Sequence, residues 1–290
     1  MIVSTPTGGF ERNFGLYGAI RVIKEAGFDS FDLSLISGDD YVKQMLTADN
    51  YVELAQNLRR HADEVGITCN QTHTPFPTSM GDGNDEERFA IQVRSLEISA
   101  IMGAKIAVVH PMQHLNYAEH ARELFPMNVE FYKRLIPYAE KFGIKIATEN
   151  MYQANNSSQI PSDSVCSRAW EFCELIDAVN SPWLVGCLDI GHASLMGTDI
   201  CKFIEDMGPD RLQALHIHDT DLVHDSHTMP FLLDIDYPAV CKALAKIGYK
   251  GDFTFEANVF PRRFPAPLAV HAGKLMYEVG RYLSDIIEGK

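Results

Sequence analysis

Between Arg211 and Pro230 the chain reads RLQALHIHDTDLVHDSHTMP, which places four of its 11 histidines among aspartates. The run Leu212-Gln213-Ala214-Leu215-His216-Ile217-His218 has the apolar crowding of a buried strand with a polar exit. Side chains alternate along a strand, so His216 and His218 emerge on one face and Ile217 on the other. Asp225 and His227 again stand two apart. Imidazole and carboxylate at such spacing are the raw material of a divalent-metal site. The plainer reading, a polar loop after a buried strand, covers this segment alone but not what the other strands carry.

Stepping along the chain, strand-like and helix-like segments alternate. Met1 to Thr5 is a short apolar strand, and Leu16 to Ala26 has helical spacing stopped by Gly27. Strand Phe28 to Leu35 is followed by helix Tyr51 to Val65, closed by Gly66. Strand Ile67 to His73 leads to an amphipathic helix, Glu86 to Met102. Strand Lys105 to His110 precedes a helix from about Val129 to Phe142, and strand Ile144 to Glu149 precedes a polar stretch, Gln153 to Ser164, expected to be an irregular loop. Helix Ser167 to Val179, strand Trp183 to Asp189, a short helix near Cys201 to Met207, the histidine strand, helix Ala239 to Ile247, strand Asp252 to Glu256 and helix Pro267 to Ile287 complete the pattern. Eight strands alternating with helices predict an α/β fold, a (β/α)8 TIM barrel formed as a single domain over residues 1–290. An open doubly wound sheet is the competitor, but no glycine-rich turn follows the first strand.

In such a barrel the C-terminal ends of the strands converge on one mouth, where active sites lie. Six strands end in His73, His110, Glu149, Asp189, His216 and Glu256. Any one of these has an ordinary explanation, such as a helix N-cap or a satisfied core histidine. Gathering all six is costly unless something compensates the buried charge, and a divalent cation does so. Mixed oxygen and nitrogen ligands suit Mn, Mg, Co or Zn.

Composition bounds the partners. Hydrophobic residues make up 46% of the chain, ordinary for a globular protein, and 25 Lys plus Arg against 39 Asp plus Glu give a net charge of −14. A polyanion meets a repulsive average field, and Arg59-Arg60 and Arg262-Arg263 are only pairs, which argues against nucleic acid. No apolar run approaches the roughly 20 residues of a membrane span. Six cysteines without a CxxC pair, and no signal peptide, suggest the cytoplasm. A homo-oligomer is left open; Phe260 and Phe264 in VFPRRFPAP suit a pocket rim, a subunit contact or a stiff loop over the barrel.

The pieces QTHTPF (71–76), VVHP (108–111), TENM (148–151), CLDIGH (187–192), HIHD (216–219), DSH (225–227) and TFE (254–256) together resemble the xylose-isomerase-like TIM-barrel superfamily of sugar and sugar-phosphate isomerases and epimerases, which also contains endonuclease IV-type apurinic endonucleases. The resemblance runs from the third strand to the eighth. It implies one divalent ion held by Glu149, Asp189, His216 and Glu256. The family's HxxD spacing fits His216 with Asp219, and equally His218 with Asp221. His192 would touch substrate. In the endonuclease branch, positions like His73, His110, His192, Asp225 and His227 hold further zinc ions, and this chain has all of them. It departs from the family after Pro230, where Phe231-Leu232-Leu233 replaces a glycine turn and predicts an apolar pocket wall. Where keto-sugar 3-epimerases carry an arginine six residues past the metal histidine, it has Leu222 or His224.

The expected function is therefore a metal-dependent isomerase, epimerase or related lyase acting on a small sugar, sugar phosphate or polyol ketone through an enediolate. Glu149 and Glu256 would be the acid/base pair, and His73, His110, His192, His218, Asp225 and His227 the substrate contacts. The alternatives are an apurinic-endonuclease-like phosphodiesterase with clustered metals and a non-catalytic metal-binding barrel.

Overall fold

The computed structural model of the chain describes residues 1–154 and 160–290. Its strands are β1 (Val3–Pro6), β2 (Ser30–Ser34), β3 (Thr68–His73), β4 (Ile106–Val108), β5 (Lys145–Glu149), β6 (Tyr152–Ala154), β7 (Pro161–Asp163), β8 (Leu184–Asp189), β9 (Leu212–His216) and β10 (Phe253–Thr254). The helices are α1 (Gly8–Ala26), α2 (Asp40–Thr47), α3 (Tyr51–Val65), α4 (Asp85–Met102), α5 (Tyr117–Phe142), α6 (Ala169–Val179), α7 (Ile190–Leu195), α8 (Ile200–Arg211), α9 (Tyr237–Ile247), α10 (Val259–Arg262) and α11 (Ala266–Glu288).

Eight strands pair in parallel in the order β10-β1-β2-β3-β4-β5-β8-β9. A single parallel bridge between Ile217 and Phe255 joins the two ends of this sheet, with Ile217 N–H donating to Thr254 O and Glu256 N–H to Ile217 O. The product is a (β/α)8 TIM barrel with helices around it.

Two cores follow from strand alternation. One face of each strand packs against the helices in the large apolar core that includes Phe31, Leu33, Leu188, Leu215 and Phe255. The opposite face fills the barrel interior with a small cluster, Val108, Ala147, Val185, Cys187 and Ala214. Two residues further along, on the same face and nearer the mouth, come His110, Glu149, Asp189 and His216. The interior layer is made of small and β-branched groups, and the chemical layer sits directly on it.

Local chemistry explains the boundaries. Gly66 and Gly143 end α3 and α5 with φ of 76° and 69°, each donating its N–H back to the preceding turn. Register shifts between Phe31 and Asp32, and between Gly186 and Cys187, adjust the strands just below the site.

The elements differ from sequence expectation in four places. The stretch expected to be an irregular loop from Gln153 to Ser164 contains the antiparallel pair β6–β7; its residues 155–159 lie outside the described residues. Helix α5 begins at Tyr117 rather than near Val129 and carries Pro126 and Pro137, because Leu124, Asn128, Phe131, Tyr132, Leu135 and Ala139 keep one buried stripe through both prolines. The short helices α2, α7 and α10 were not legible, each being too brief for a periodic signal. Phe231, Leu232 and Leu233 do not wall the cavity; they are exposed at 48%, 49% and 40%, on a loop turned outward where Asp219 accepts from the N–H groups of Leu233 and Ile235.

Helix α11 closes the barrel by approaching β1 and β10 over Gly280. A Cβ there would lie 2.6 Å from Val3 Cγ1 and 2.7 Å from the Phe255 ring. Alanine's helix propensity would return up to about 1 kcal/mol, whereas overpacking a rigid ring costs typically 1–3 kcal/mol. Gly280→Ala is therefore expected to lower the thermal unfolding midpoint; an unchanged or raised midpoint would mean that the helix can move outward freely.

Candidate metal centre

The strand ends deliver their side chains to one place. Glu149 ends β5, Asp189 ends β8, His216 ends β9, and Glu256 follows β10 by two residues. Glu149, Asp189 and His216 are fully buried, and Glu256 is 6% exposed. His216 Nδ1 lies 3.2 Å from Glu149 Oε2 and 3.3 Å from Glu256 Oε2. One potential ligand atom from each of the four residues lies within 4.8 Å of every other.

His216 and His218 now separate. His218 Nε2 is 3.1 Å from both oxygens of Asp189, and its ring stacks on that of His227 with centroids 4.2 Å apart. It belongs with His192, Asp225 and His227 in a second compact group. Of the two HxxD readings, the Asp219 carboxylate anchors the outward loop and Asp221 binds His224, so neither aspartate faces the cluster.

A third group joins His73, His110 and Glu149. His73 Nε2 lies 2.7 Å from His110 Nε2, His73 Nδ1 is 3.3 Å from Glu256 Oε1, and His110 Nε2 is 3.2 Å from Glu149 Oε2. Glu149 is thus shared between two groups, and His192 Nδ1 approaches its other oxygen at 3.3 Å. The ten expected metal, acid/base and substrate-contact residues, His73, His110, Glu149, Asp189, His192, His216, His218, Asp225, His227 and Glu256, therefore lie in one connected layer at the barrel mouth.

Several partners escaped the sequence reading. Asp32, in the middle of β2, has Oδ2 3.9 Å from His216 Nε2 and accepts from the Gln71 amide at 3.1 Å. Asn150 clamps the strand end carrying Asp189: Asp189 N–H donates to Asn150 Oδ1 at 2.7 Å, and the Asn150 amide donates to Asp189 O at 2.9 Å. Asp189 also caps α7, accepting from His192 N–H at 2.6 Å, so one carboxylate both faces the cluster and places His192. Tyr152 donates its hydroxyl to Asp225 Oδ2 at 3.2 Å. Asp32 was hidden because the Phe28–Leu35 pattern ran past it; Asn150, beside Glu149, had a visible amide but no pattern.

The electrostatics are those of opposed buried charges. Burial alone would raise Glu149 and Glu256, but the neighbouring histidines, His216 foremost, hold both well below the usual carboxylate range. Burial would lower His216, yet Cys187, Glu256 and Glu149 push it well above the usual imidazole range. His227 is likewise pushed up to about 10 against burial, by Glu256 and Asp225, and His192 is raised against burial by Asp189, Asp225 and Glu149. His110 moves down, because burial outweighs Glu149.

Proximity is not satisfaction. Both oxygens of Glu149, both ring nitrogens of His216, Glu256 Oε2 and Asp225 Oδ1 are buried without a hydrogen-bond partner. An unpaired buried polar atom costs about 1–3 kcal/mol, and more when charged. A divalent cation among Glu149, Asp189, His216 and Glu256 would satisfy oxygens of Glu149 and Glu256 and one ring nitrogen of His216, so the donor set fits a metal. Asp32 stands behind His216, where a carboxylate can orient a ligating imidazole.

Above the cluster opens a cavity of about 1300 Å³ that reaches His73, His110, Glu149, His192, Asp225, His227 and Glu256. Asp189, His216 and His218 lie beneath its floor.

A model of the xylose isomerase-like TIM barrel matches residues 20–277. The chain belongs to that family. The L-ribulose 3-epimerase of Methylomonas sp. (strain DH-1) is 26% identical over 246 residues, 84% of this chain and 78% of that protein. The solved structure of a D-tagatose 3-epimerase-like protein superimposes with a TM-score of 0.74 at 21% identity, covering 98% of this chain and 99% of the other. The IOLI protein with a binding zinc atom gives 0.75 at 18% identity, covering 98% and 99%. No helix among the described residues is long and apolar enough to cross a membrane, and all six cysteines are free.

Metal ligation requires neutral imidazole, whereas His216, His192 and His227 are raised toward the protonated form in the metal-free protein. Loading a chelator-stripped sample with Mn²⁺ is therefore expected to release protons, and affinity to rise with pH across the neutral range. Titration calorimetry in two buffers of different ionisation enthalpy measures this. Identical apparent enthalpies would contradict it.

Proposed function

We propose that the chain is a divalent-metal-dependent epimerase or isomerase of a small keto-sugar or polyol ketone. The observation that carries this reading is the buried set Glu149, Asp189, His216 and Glu256 beneath a sugar-accessible cavity, with unpaired ligand atoms suited to one cation. Membership of the xylose isomerase-like TIM barrel family, together with similarity to the Methylomonas L-ribulose 3-epimerase, supports it.

When bound, the ion would polarise adjacent carbonyl and hydroxyl oxygens of the substrate and make the neighbouring C–H acidic. Glu149 and Glu256 rise from β5 and β10, well apart around the ring, and both reach the cavity. One takes the carbon-bound proton, and the other, once it has taken up a proton from solvent, delivers that proton to the opposite face. Their depressed pKa values keep both ionised and ready to act as base. His192 and His227 flank Asp225 and offer donors to substrate hydroxyls, while His73 and His110 line the other side of the chemical layer. Asp189 and His216 lie below the floor, where they would hold the ion without touching substrate.

Exchange is the minimal observable. With Mn²⁺ and a ketose in deuterated water, a hydrogen adjacent to the carbonyl should exchange with solvent. Loss of a general base typically costs about 10²- to 10⁴-fold, and Glu149→Gln or Glu256→Gln should cost at least that, since each also removes a ligand. Wild-type exchange that persists after exhaustive chelation would contradict the metal requirement.

A second reading has its own observation. The groups His73–His110–Glu149 and His192–His218–Asp225–His227 adjoin the first and are also compact enough to hold ions, as a multinuclear phosphodiesterase requires. Two or more ions per chain, together with metal-dependent cleavage of abasic DNA, would favour it over the epimerase. One ion per chain without cleavage would exclude it.

A further inference from the structure

We propose that the substrate is an unphosphorylated keto-sugar carrying a second sugar-sized ring, which occupies the outer half of the cavity; this rests on the metal-dependent epimerase reading above. The first argument is size. The cavity, about 1300 Å³, exceeds the roughly 300–1,000 Å³ of pockets that enclose a drug-sized ligand. The proposed acid/base pair, Glu149 and Glu256, stands on the strand ends beneath it, so a single small ketose held there leaves much of the space unfilled.

The second argument is the nature of the outer wall. Among the described residues it carries hydrogen-bonding and aromatic groups, Gln113, His114, Asn116 and Tyr117, from the segment before and at the start of α5. That segment is held in place rather than left to close on the ligand. Gln153 on β6 donates to the carbonyls of Gln113 and Leu115 at 3.0 and 2.7 Å and accepts from Tyr117 N–H at 3.0 Å. Ser164 donates to the Gln113 side chain at 2.9 Å, and Ser79 and His114 lie 2.8 Å apart. The same cavity also has an apolar border of Ile36, Phe76 and Met80, exposed at 45%, 46% and 55%. A sugar ring needs both kinds of surface, an apolar one for its C–H face and amide or imidazole groups for its hydroxyl edge.

The third argument is charge. Among the described residues no lysine or arginine lines the cavity. Arg168, near the rim, is already paired with Asp163 at 2.6 Å. Glu149, Asp225, Glu256 and Asp163 face the same space. A phosphate monoester carries about −1.5 to −2 charges at neutral pH and is ordinarily met by Arg or Lys. Here its distal end would find carboxylates and neutral amides.

The Mn²⁺-loaded enzyme tests this by metal-dependent exchange and epimerisation over a panel of ketopentoses and ketohexoses, each also supplied with a terminal phosphate and as the ketose unit of a disaccharide. The expected kcat/KM for a disaccharide is at least tenfold above that of its free ketose, mainly through KM, with phosphates no better than free sugars. In Met80→Ser, whose side chain is exposed, and in Phe76→Ala, the disaccharide-to-ketose ratio should fall towards one. Equal activity on free ketose and disaccharide, or preference for a phosphate, overturns the proposal while leaving the epimerase reading intact. No metal-dependent exchange with any panel member overturns both.

Discussion

Four ionisable side chains, Glu149, Asp189, His216 and Glu256, meet almost without solvent at the mouth of this barrel, and the architecture around them exists at that cost. Carboxylates buried without partners would normally take up protons or draw in water. Here the opposing histidines keep Glu149 and Glu256 ionised, yet several ligand atoms remain without hydrogen bonds. A cation bound there would satisfy oxygens of both glutamates and a ring nitrogen of His216 at once, and it would stabilise the native arrangement because the unfolded chain does not assemble the site.

The supporting shell is arranged to the same end. Strand alternation sets the chemical layer one step above the apolar plug of Val108, Ala147, Val185, Cys187 and Ala214, which denies water access from below. Asn150 locks the backbone at Asp189, Asp189 caps the helix that presents His192, and His227 Nδ1 is tied to the Glu256 carbonyl at 3.0 Å. Rigid elements thus fix the ligands, while the cavity above is bordered by loop and hairpin residues that can vary with substrate.

How much of this was legible in the sequence follows from the range of each signal. Alternation acts over two residues, and strand–helix repetition over about forty, so the barrel and the ring of strand-end residues could be read directly. The choice between His216 and His218 could not, since both share a strand face and an HxxD spacing; the three-dimensional distances to Glu149 and Glu256 separate them. Asp32 reaches His216 across the barrel from a strand whose pattern gave no end point, and Asn150's grip on Asp189 spans 39 residues. The β6–β7 pair is only three residues a side, too short for a periodic signal, and Gln153 within it bonds to a loop some forty residues away in sequence. The Phe231–Leu233 run misled because hydrophobicity marks burial only on average, and here a buried aspartate turns the segment outward.

Anomalous diffraction from crystals grown with Mn²⁺ and never exposed to chelator tests the central claim most directly. The account predicts a strong peak at coordination distance, about 2.0–2.3 Å, from Glu149, Asp189, His216 and Glu256. A map without a peak among these four residues, or with its only peak elsewhere on the chain, would contradict it.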